Sequence, residues 1–132
     1  MADLIIGAAS GYDWDKLKYW VNSIDKSGYQ GKVALVATDI DKATIDKLTQ
    51  RGVELNLFGT QQEDGSVKAP ANNAPHVERF FYLWKYLNDH QGKYDRVITT
   101  DTRDVIFQDN PSFYLDNALR YHDLVASSEG MR

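Results

Sequence analysis

The sequence contains no cysteine among its 132 residues, which excludes a disulfide, a thiolate nucleophile and a zinc site with cysteine ligands. It also lacks any block of lysines or arginines and carries a formal net charge of -4, so nucleic acid and anionic membrane surfaces are not expected partners. No hydrophobic run is long enough to span a membrane, and the short run at residues 4–6 lacks the basic flank of a signal peptide. We therefore expect a cytoplasmic protein that folds as one domain over residues 1–132.

Apolar strand-like runs alternate with helical patterns in the first half of the chain. Strands are predicted over residues 3–9, 32–38 and 53–58. Asp13 and Asp41 are placed to cap the two intervening helices, whose apolar residues keep a helical spacing. Because a β-α-β-α-β order with short connections is typical of a parallel sheet, the sequence predicts an α/β fold. The expected architecture is a Rossmann-like three-layer sandwich, with a mainly parallel sheet and helices on both faces.

The first predicted run ends in small residues, Gly7-Ala8-Ala9-Ser10-Gly11, which are expected to form a loop. Such a loop lets another group approach the backbone closely. Its glycines do not form the Gly-x-Gly-x-x-Gly fingerprint of dinucleotide-binding loops, so a tight turn explains the loop better than a phosphate cradle.

Residues 59–75 have little apolar content and separate the third strand from the next helix. A connection of that length is usually functional or mobile, so we expect a flap over the site, with the amides of Asn72 and Asn73 contacting the ligand. Pro75 suits the first turn of the following helix. The predicted core face of that helix is Val77, Phe80, Phe81, Trp84 and Leu87. Arg79 lies near the helix start, where its cation could reach a ligand; an ordinary solvated arginine is the alternative.

Three charged side chains interrupt a strand-like run at residues 96–108. Residues 97–100 are β-branched throughout, the composition of a strand buried on both faces. Asp101, Arg103 and Asp104 therefore sit at a strand end, where open α/β sheets bind ligands. Two carboxylates there could hold a divalent ion that stabilises a diphosphate leaving group. The alternative is an acidic surface turn in which Arg103 pairs with a neighbouring aspartate.

A second acid pair, Asp39-Ile40-Asp41, superficially resembles the Asp-x-Asp of haloacid-dehalogenase-like phosphatases. That family has a threonine two places after the second acid, whereas Thr44 comes one place later here. A helix N-cap at Asp41 explains this residue more simply than a catalytic role does. A phosphatase that uses Asp39 and Asp41 remains an alternative function.

The stretch Thr100-Asp-Thr-Arg-Asp-Val-Ile-Phe-Gln-Asp-Asn-Pro111 resembles the nucleotide-diphospho-sugar transferases of the GT-A fold. The preceding helix with Arg79-Phe80 and the following residues 122–130 share in this resemblance, which spans about residues 3–130. In that family the acid motif binds Mn²⁺ or Mg²⁺ and contacts the diphosphate and ribose, while a basic residue on the preceding helix helps to hold the donor. Asp101 matches the first acid of the family's Asp-x-Asp. Arg103 stands where the second acid usually falls, and Asp104 comes one place later.

The resemblance implies a glycosyltransferase that moves a sugar from a nucleotide-diphosphate donor to an unidentified acceptor. Asp101 and Asp104 are then the expected ligands of Mn²⁺ or Mg²⁺, or Arg103 neutralises the diphosphate directly. The candidate donor contacts are Ala8, Ser10, Asn73, Arg79, Asp101 and Arg103.

Members of that family generally continue well past the acid motif, into a second half that supplies the acceptor site. The chain is therefore expected to lack this acceptor-binding half, and no catalytic residue is assigned. A non-catalytic nucleotide-binding or assembly module is a further alternative. A sheet that ends after a predicted strand at residues 122–128 would leave an edge and an apolar face uncovered, so self-association is expected.

Overall fold

A computed structural model describes the backbone of residues 2–70, 75–103 and 105–118, and the side chains of 3–70, 78–103 and 105–116. The elements follow in the order β1 (Ala2–Ser10), α1 (Trp14–Lys26), β2 (Lys32–Thr38), α2 (Lys42–Gln50), β3 (Glu54–Leu57), β4 (Thr60–Gln61), β5 (Val67–Lys68), α3 (Pro75–Asp89), β6 (Tyr94–Thr100) and α4 (Pro111–Ala118). None of the helices described has the length and apolar character that a membrane span requires. The predicted strand at residues 122–128 lies outside the described part of the chain.

The main sheet is parallel, with the strand order β3-β2-β1-β6. The first three strands step in one direction through α1 and α2. The connection through α3 then returns across β1 and places β6 on its other side. Since the direction of winding reverses at β1, the crevice between the carboxyl ends of β1 and β6 is the topological switch point, where open α/β sheets bind ligands. The predicted Rossmann-like parallel sheet is confirmed for these residues.

Two apolar clusters lie on opposite faces of this sheet. On one face, the helices α1 and α2 bury Leu17, Trp20, Ile24 and Leu48 against Ile5 and Leu35. On the other face, Tyr86 of α3 packs against Leu4, Ile6, Ala34 and Val36. Because successive side chains of a strand point to opposite faces, the central strands β1 and β2 serve both clusters. Their continuous apolar sequence follows from this double burial.

Both predicted helix N-caps are present. The Asp13 side chain accepts a hydrogen bond from the Lys16 amide at 3.2 Å, and the Asp41 side chain accepts one from the Thr44 amide at 2.7 Å. Each bond satisfies an amide that has no partner within its own helix. Asp41 is therefore engaged in holding the start of α2.

The predicted core face of α3 is wrong for its three largest side chains. Phe80, Phe81 and Trp84 are 60%, 56% and 60% exposed, whereas Tyr86 is 2% exposed. Tyr82 also faces inward and stacks on Phe58, with ring centroids 3.8 Å apart. Leu87 does pack against the sheet, and the side chain of Val77 lies outside the described residues. Since α3 carries apolar side chains around nearly its whole circumference, helical spacing did not determine which side meets the sheet.

The prediction that β6 is buried on both faces is also wrong for the described structure. The odd-numbered residues 95, 97 and 99 are exposed, with Val97 at 44%, while the even-numbered ones are half-buried. A β-branched composition favours a strand but does not decide what covers it. The apolar residues 105–107 beyond the acids form no strand; Phe107 packs against the α1 face instead, and its amide donates to Ser23 Oγ at 2.9 Å.

The expected flap is wrong for residues 59–70, which are structured. Strands β4 and β5 pair as a short antiparallel hairpin. Val67 is 6% exposed and exchanges two backbone hydrogen bonds with Ile40, at 2.9 and 3.1 Å. One buried valine in a polar segment is enough to fix the hairpin, because its backbone groups find partners at the same place. Asn72 and Asn73 lie outside the described residues.

Candidate functional site

The acid motif after β6 is held against the end of β1 by Thr102. This side chain is 2% exposed, and its hydroxyl donates to the carbonyl oxygen of Ala8 at 3.2 Å. Its methyl group occupies the space beside Gly7, where an added Cβ would lie 2.4 Å from Thr102 Cγ2. The small residues at the end of β1 are therefore needed because the loop after β6 packs directly on their backbone. The predicted loop is wrong for residues 7–10, which belong to β1; the close approach to their backbone does occur, and the approaching group is Thr102.

A hydrogen bond from α1 also holds the acid motif after β6 in place. The indole Nε1 of Trp20 donates to Thr100 Oγ1 at 2.9 Å, and the Thr100 hydroxyl donates in turn to the carbonyl oxygen of Asp101 at 2.6 Å. Trp20 is fully buried, so its position is set by the core. A hydrogen bond from a fixed donor holds the strand end in one orientation, as a preorganised site requires.

The Asp101 carboxylate faces the crevice together with Arg79 of α3. Arg79 Nη1 lies 3.6 Å from Asp101 Oδ1, with the two side chains 41% and 74% exposed. The guanidinium also lies over the ring of Phe80, 4.8 Å from its centroid. Arg79 Nε is buried and has no hydrogen-bond partner among the described residues. A guanidinium has five donors, so Arg79 can hold Asp101 and still bind an anion.

Two cavities meet at Arg79. The first has a volume of about 220 Å³ and is lined by the end of β1 and by aromatic and apolar side chains: Ala8, Ala9, Ser10, Tyr12, Val36, Phe58 and Arg79. The second has a volume of about 530 Å³ and lies between α3 and the end of β6, where Ala8, Arg79, Trp84 and Asp101 are among its lining residues. Since Ala8 and Arg79 line both, a ligand that spans the two cavities would pass over them.

Arg103 lines neither cavity, but it lies near Tyr12. Its guanidinium is 6.0 Å from the ring centroid of Tyr12, which lines that cavity. Asp101 and Arg103 flank the buried Thr102, so the loop presents a carboxylate and a guanidinium at the surface on either side of one anchor. Arg79 in the crevice and Arg103 near Tyr12 at its edge are both cations, which favours an anionic ligand.

The described part of the site does not contain a complete set of metal ligands. Asp101 supplies one carboxylate, and Asp104 lies outside the described residues. Those residues contain no group of three or more histidine, cysteine, aspartate or glutamate side chains that could hold a metal ion. Mg²⁺ is usually bound through one or two carboxylates together with substrate phosphates. Asp101 alone therefore fits Mn²⁺ or Mg²⁺ only if phosphate oxygens complete the coordination.

The other acid pair follows β2 and has local partners. Asp39 has a positive φ of 48° and accepts a hydrogen bond from the Ala69 amide at 2.7 Å. Asp41 caps α2, as described above. These contacts tie the hairpin and the helix to the end of β2, and neither residue lines the two cavities at Arg79.

The structure brings four of the six candidate donor contacts into the two cavities. Ala8, Ser10 and Arg79 line the first cavity, Asp101 lines the second, and Arg103 lies against Tyr12; Asn73 lies outside the described residues. Sequence reasoning missed the anchors Trp20 and Thr102 and the cavity walls Tyr12, Val36 and Phe58. For Thr102 there was a usable signal, since a small residue in β1 implies a side chain packed on it.

No protein-family model matches the chain, and neither a curated protein nor a solved structure matches it.

Proposed function

We propose that the crevice between β1 and β6 binds a nucleotide-diphospho-sugar and that the protein takes part in transferring its sugar to an acceptor. The observation that carries the proposal is the buried Arg79 Nε, which has no partner among the described residues and lies where two cavities meet. A buried donor of this kind is costly unless a ligand satisfies it. A diphosphate offers acceptor oxygens to both Nε and the terminal nitrogens of a guanidinium.

The shapes of the two cavities support the same proposal. Tyr12, Val36 and Phe58 give the first cavity aromatic and apolar walls that suit a flat nucleoside base. The second cavity, beside Asp101, is the larger and is open enough for a sugar. The diphosphate would then lie between them, next to Arg79. Asp101 lies 3.6 Å from Arg79 and would accept a hydrogen bond from a hydroxyl group of the ribose or the sugar.

Mn²⁺ or Mg²⁺ bound at Asp101 would supply further positive charge to the leaving diphosphate. Without a metal ion, that charge would come from Arg79, with Arg103 nearby at Tyr12. Binding of the donor is therefore expected to persist, although weakened, when a chelator is present.

The test is titration calorimetry with UDP-glucose, GDP-mannose and CMP-sialic acid, each in Mn²⁺ and in excess chelator. CMP-sialic acid carries a single phosphate, so it serves as the internal control for diphosphate recognition. Replacing Arg79 by methionine should weaken binding of the preferred diphosphate donor by about 10- to 100-fold, the equivalent of losing a charged hydrogen bond of roughly 1.5–3 kcal/mol.

Arg51→Met is the matched control, because Arg51 pairs with Asp25 and Asn22 away from the crevice. The control should bind the donor as the wild type does, and Arg79→Lys should recover part of the loss because it restores a charge without the fork geometry. If no diphosphate donor binds, or if both methionine variants bind alike, the proposal fails. Release of nucleoside diphosphate from the bound donor, followed with and without added sugar acceptors, tests the transfer step separately.

A further inference from the structure

The outer side of α3 and the neighbouring side of β6 expose several apolar side chains. Together with Thr99 we call them the α3/β6 face: Phe80, Phe81, Trp84, Val97 and Thr99. In the described structure β6 is an edge strand, paired only with β1. Its odd-numbered side chains stand free of α3, which packs on β1 and β2. The cavity of about 530 Å³ is the groove between this helix and β6.

The aromatic part of the face is large for a surface in contact with water. Phe80, Phe81 and Trp84 are each more than half exposed. An aromatic side chain presents roughly 150–250 Å², so these three leave on the order of 350 Å² of aromatic surface in water. This is a substantial part of the roughly 800 Å² per partner of a standard interface. Apolar patches of this size usually mark a site of association.

We propose that the α3/β6 face pairs with the same face of a second copy of this chain across a two-fold axis near Val97. Two identical edge strands related by a two-fold axis normal to the sheet run antiparallel, so β6 of each copy can hydrogen-bond to the other and extend the sheet. Both α3 helices then lie on the same side of the extended sheet, and their exposed aromatic side chains cover the joined strands. The same contact protects an edge that would otherwise template aggregation.

The charges at the ends of β6 fit this arrangement. Val97 is the middle residue of β6 (Tyr94–Thr100), and full overlap of the two strands places it opposite its own copy. Lys93, just before the strand, then lies opposite Asp101 of the second copy, just after it. Opposite charges at facing positions stabilise a strand pair, whereas a shifted register would lose this match. The second copy would thereby add a cation beside Asp101, at the mouth of the crevice.

Sedimentation velocity over a wide range of protein concentration tests the association. The wild type should be a dimer, and both Trp84→Lys and Val97→Lys should be monomers with an unchanged circular dichroism spectrum. Tyr19→Lys is the matched control, because Tyr19 is 57% exposed on α1, on the opposite side of the sheet. This variant should remain a dimer.

Single cysteines test the register, since the chain has none of its own. Facing residues of antiparallel strands have Cα atoms about 4.5–5.5 Å apart, within the range of about 4.4–6.8 Å for a disulfide. Val97→Cys should therefore form a covalent dimer in oxidised glutathione, and Tyr19→Cys should not. Lys93→Asp should weaken the dimer, and Lys93→Asp combined with Asp101→Lys should restore it.

Two results would overturn the proposal. A wild type that is monomeric at every concentration shows that another part of the chain or a different partner covers the face. A dimer that survives Trp84→Lys, or in which Val97→Cys cross-links no faster than Tyr19→Cys, shows that the copies associate elsewhere. The comparison of Arg79→Met with Arg51→Met changes no residue of the α3/β6 face, so it tests donor binding separately from the dimer.

Discussion

Replacing Gly7 by alanine should destabilise the protein by forcing the acid motif away from β1. The new Cβ would lie 2.4 Å from Thr102 Cγ2, 3.2 Å from the Thr100 carbonyl oxygen and 3.3 Å from a ring carbon of Trp20. Carbon atoms in contact are normally about 3.5–4.0 Å apart, so Thr102 must move by more than about 1 Å. The threonine has no long flexible end that could yield, and its hydroxyl is bonded to Ala8.

The expected loss follows from two contributions. Overpacking of a closed core typically costs about 1–3 kcal/mol. Displacing Thr102 also breaks its hydrogen bond to Ala8, which contributes roughly 0.5–1.5 kcal/mol. We therefore expect Gly7→Ala to lower the free energy of unfolding by about 2–4 kcal/mol, a large part of the roughly 5–15 kcal/mol of a typical domain.

A second substitution identifies the cause of that loss. Thr102→Ser removes the clashing methyl group and keeps the hydroxyl, so Gly7→Ala with Thr102→Ser should recover at least half of the stability. Urea unfolding followed by tryptophan fluorescence measures all four proteins, and the two substitutions should couple by about 1 kcal/mol or more. The reasoning is refuted if Gly7→Ala lies within about 0.5 kcal/mol of the wild type, or if the effects of the two changes simply add.

Two further predictions concern stability away from the crevice. Hydrogen bonds from Arg96 lower the pKa of Asp3 against the opposing effect of burial, and Ser112 adds to the lowering; the ion pair therefore stabilises the fold at neutral pH, and this stability should be lost as the pH falls below about 4, through the folded pKa. Asp3→Asn should flatten that acid dependence in urea titrations from neutral to acidic pH, and an unchanged pH profile would contradict the assignment. Asp41→Ala should lower the unfolding free energy by about 0.5–2 kcal/mol through loss of the bond to Thr44, while Asp41→Asn should keep most of it; equal losses would argue against a capping role.

The alternation of strands and helices was predictable because each element obeys local rules. The apolar runs of β1 and β2, the caps Asp13 and Asp41, and Pro75 at the start of α3 all act within a few residues of themselves. Their positions in the structure agree with the prediction to within one residue at most strand ends. The parallel order then follows from short connections and the handedness of crossovers.

Which sides of α3 and β6 are buried was not predictable from the same rules. Phe80 and Tyr86 are both large aromatic residues on one helix, but only the second is buried, because which side of α3 meets the sheet depends on neighbours distant in sequence. The opposite error occurred at Val67, which is buried although its polar segment was predicted to be a flap. A single valine in a polar segment shows no periodicity that would reveal its burial. At the candidate site, Asp101 and Arg79 were found from residue type and position, whereas Thr102 was missed because its role is to pack on Gly7.

The central position of β1 has a consequence for synthesis of the chain on the ribosome. Of the strands in this sheet β1 is made before the others, and it pairs with β2 soon afterwards, but its other edge waits for β6. At about 5–20 residues per second, the stretch between Thr38 and Tyr94 takes on the order of several seconds to emerge. During that interval the backbone of Leu4, Ile5 and Ile6 has a bare edge, and their side chains on the α3 side have no cover. We expect this segment to be the part of the nascent protein that chaperones bind, and to be released when β6 arrives.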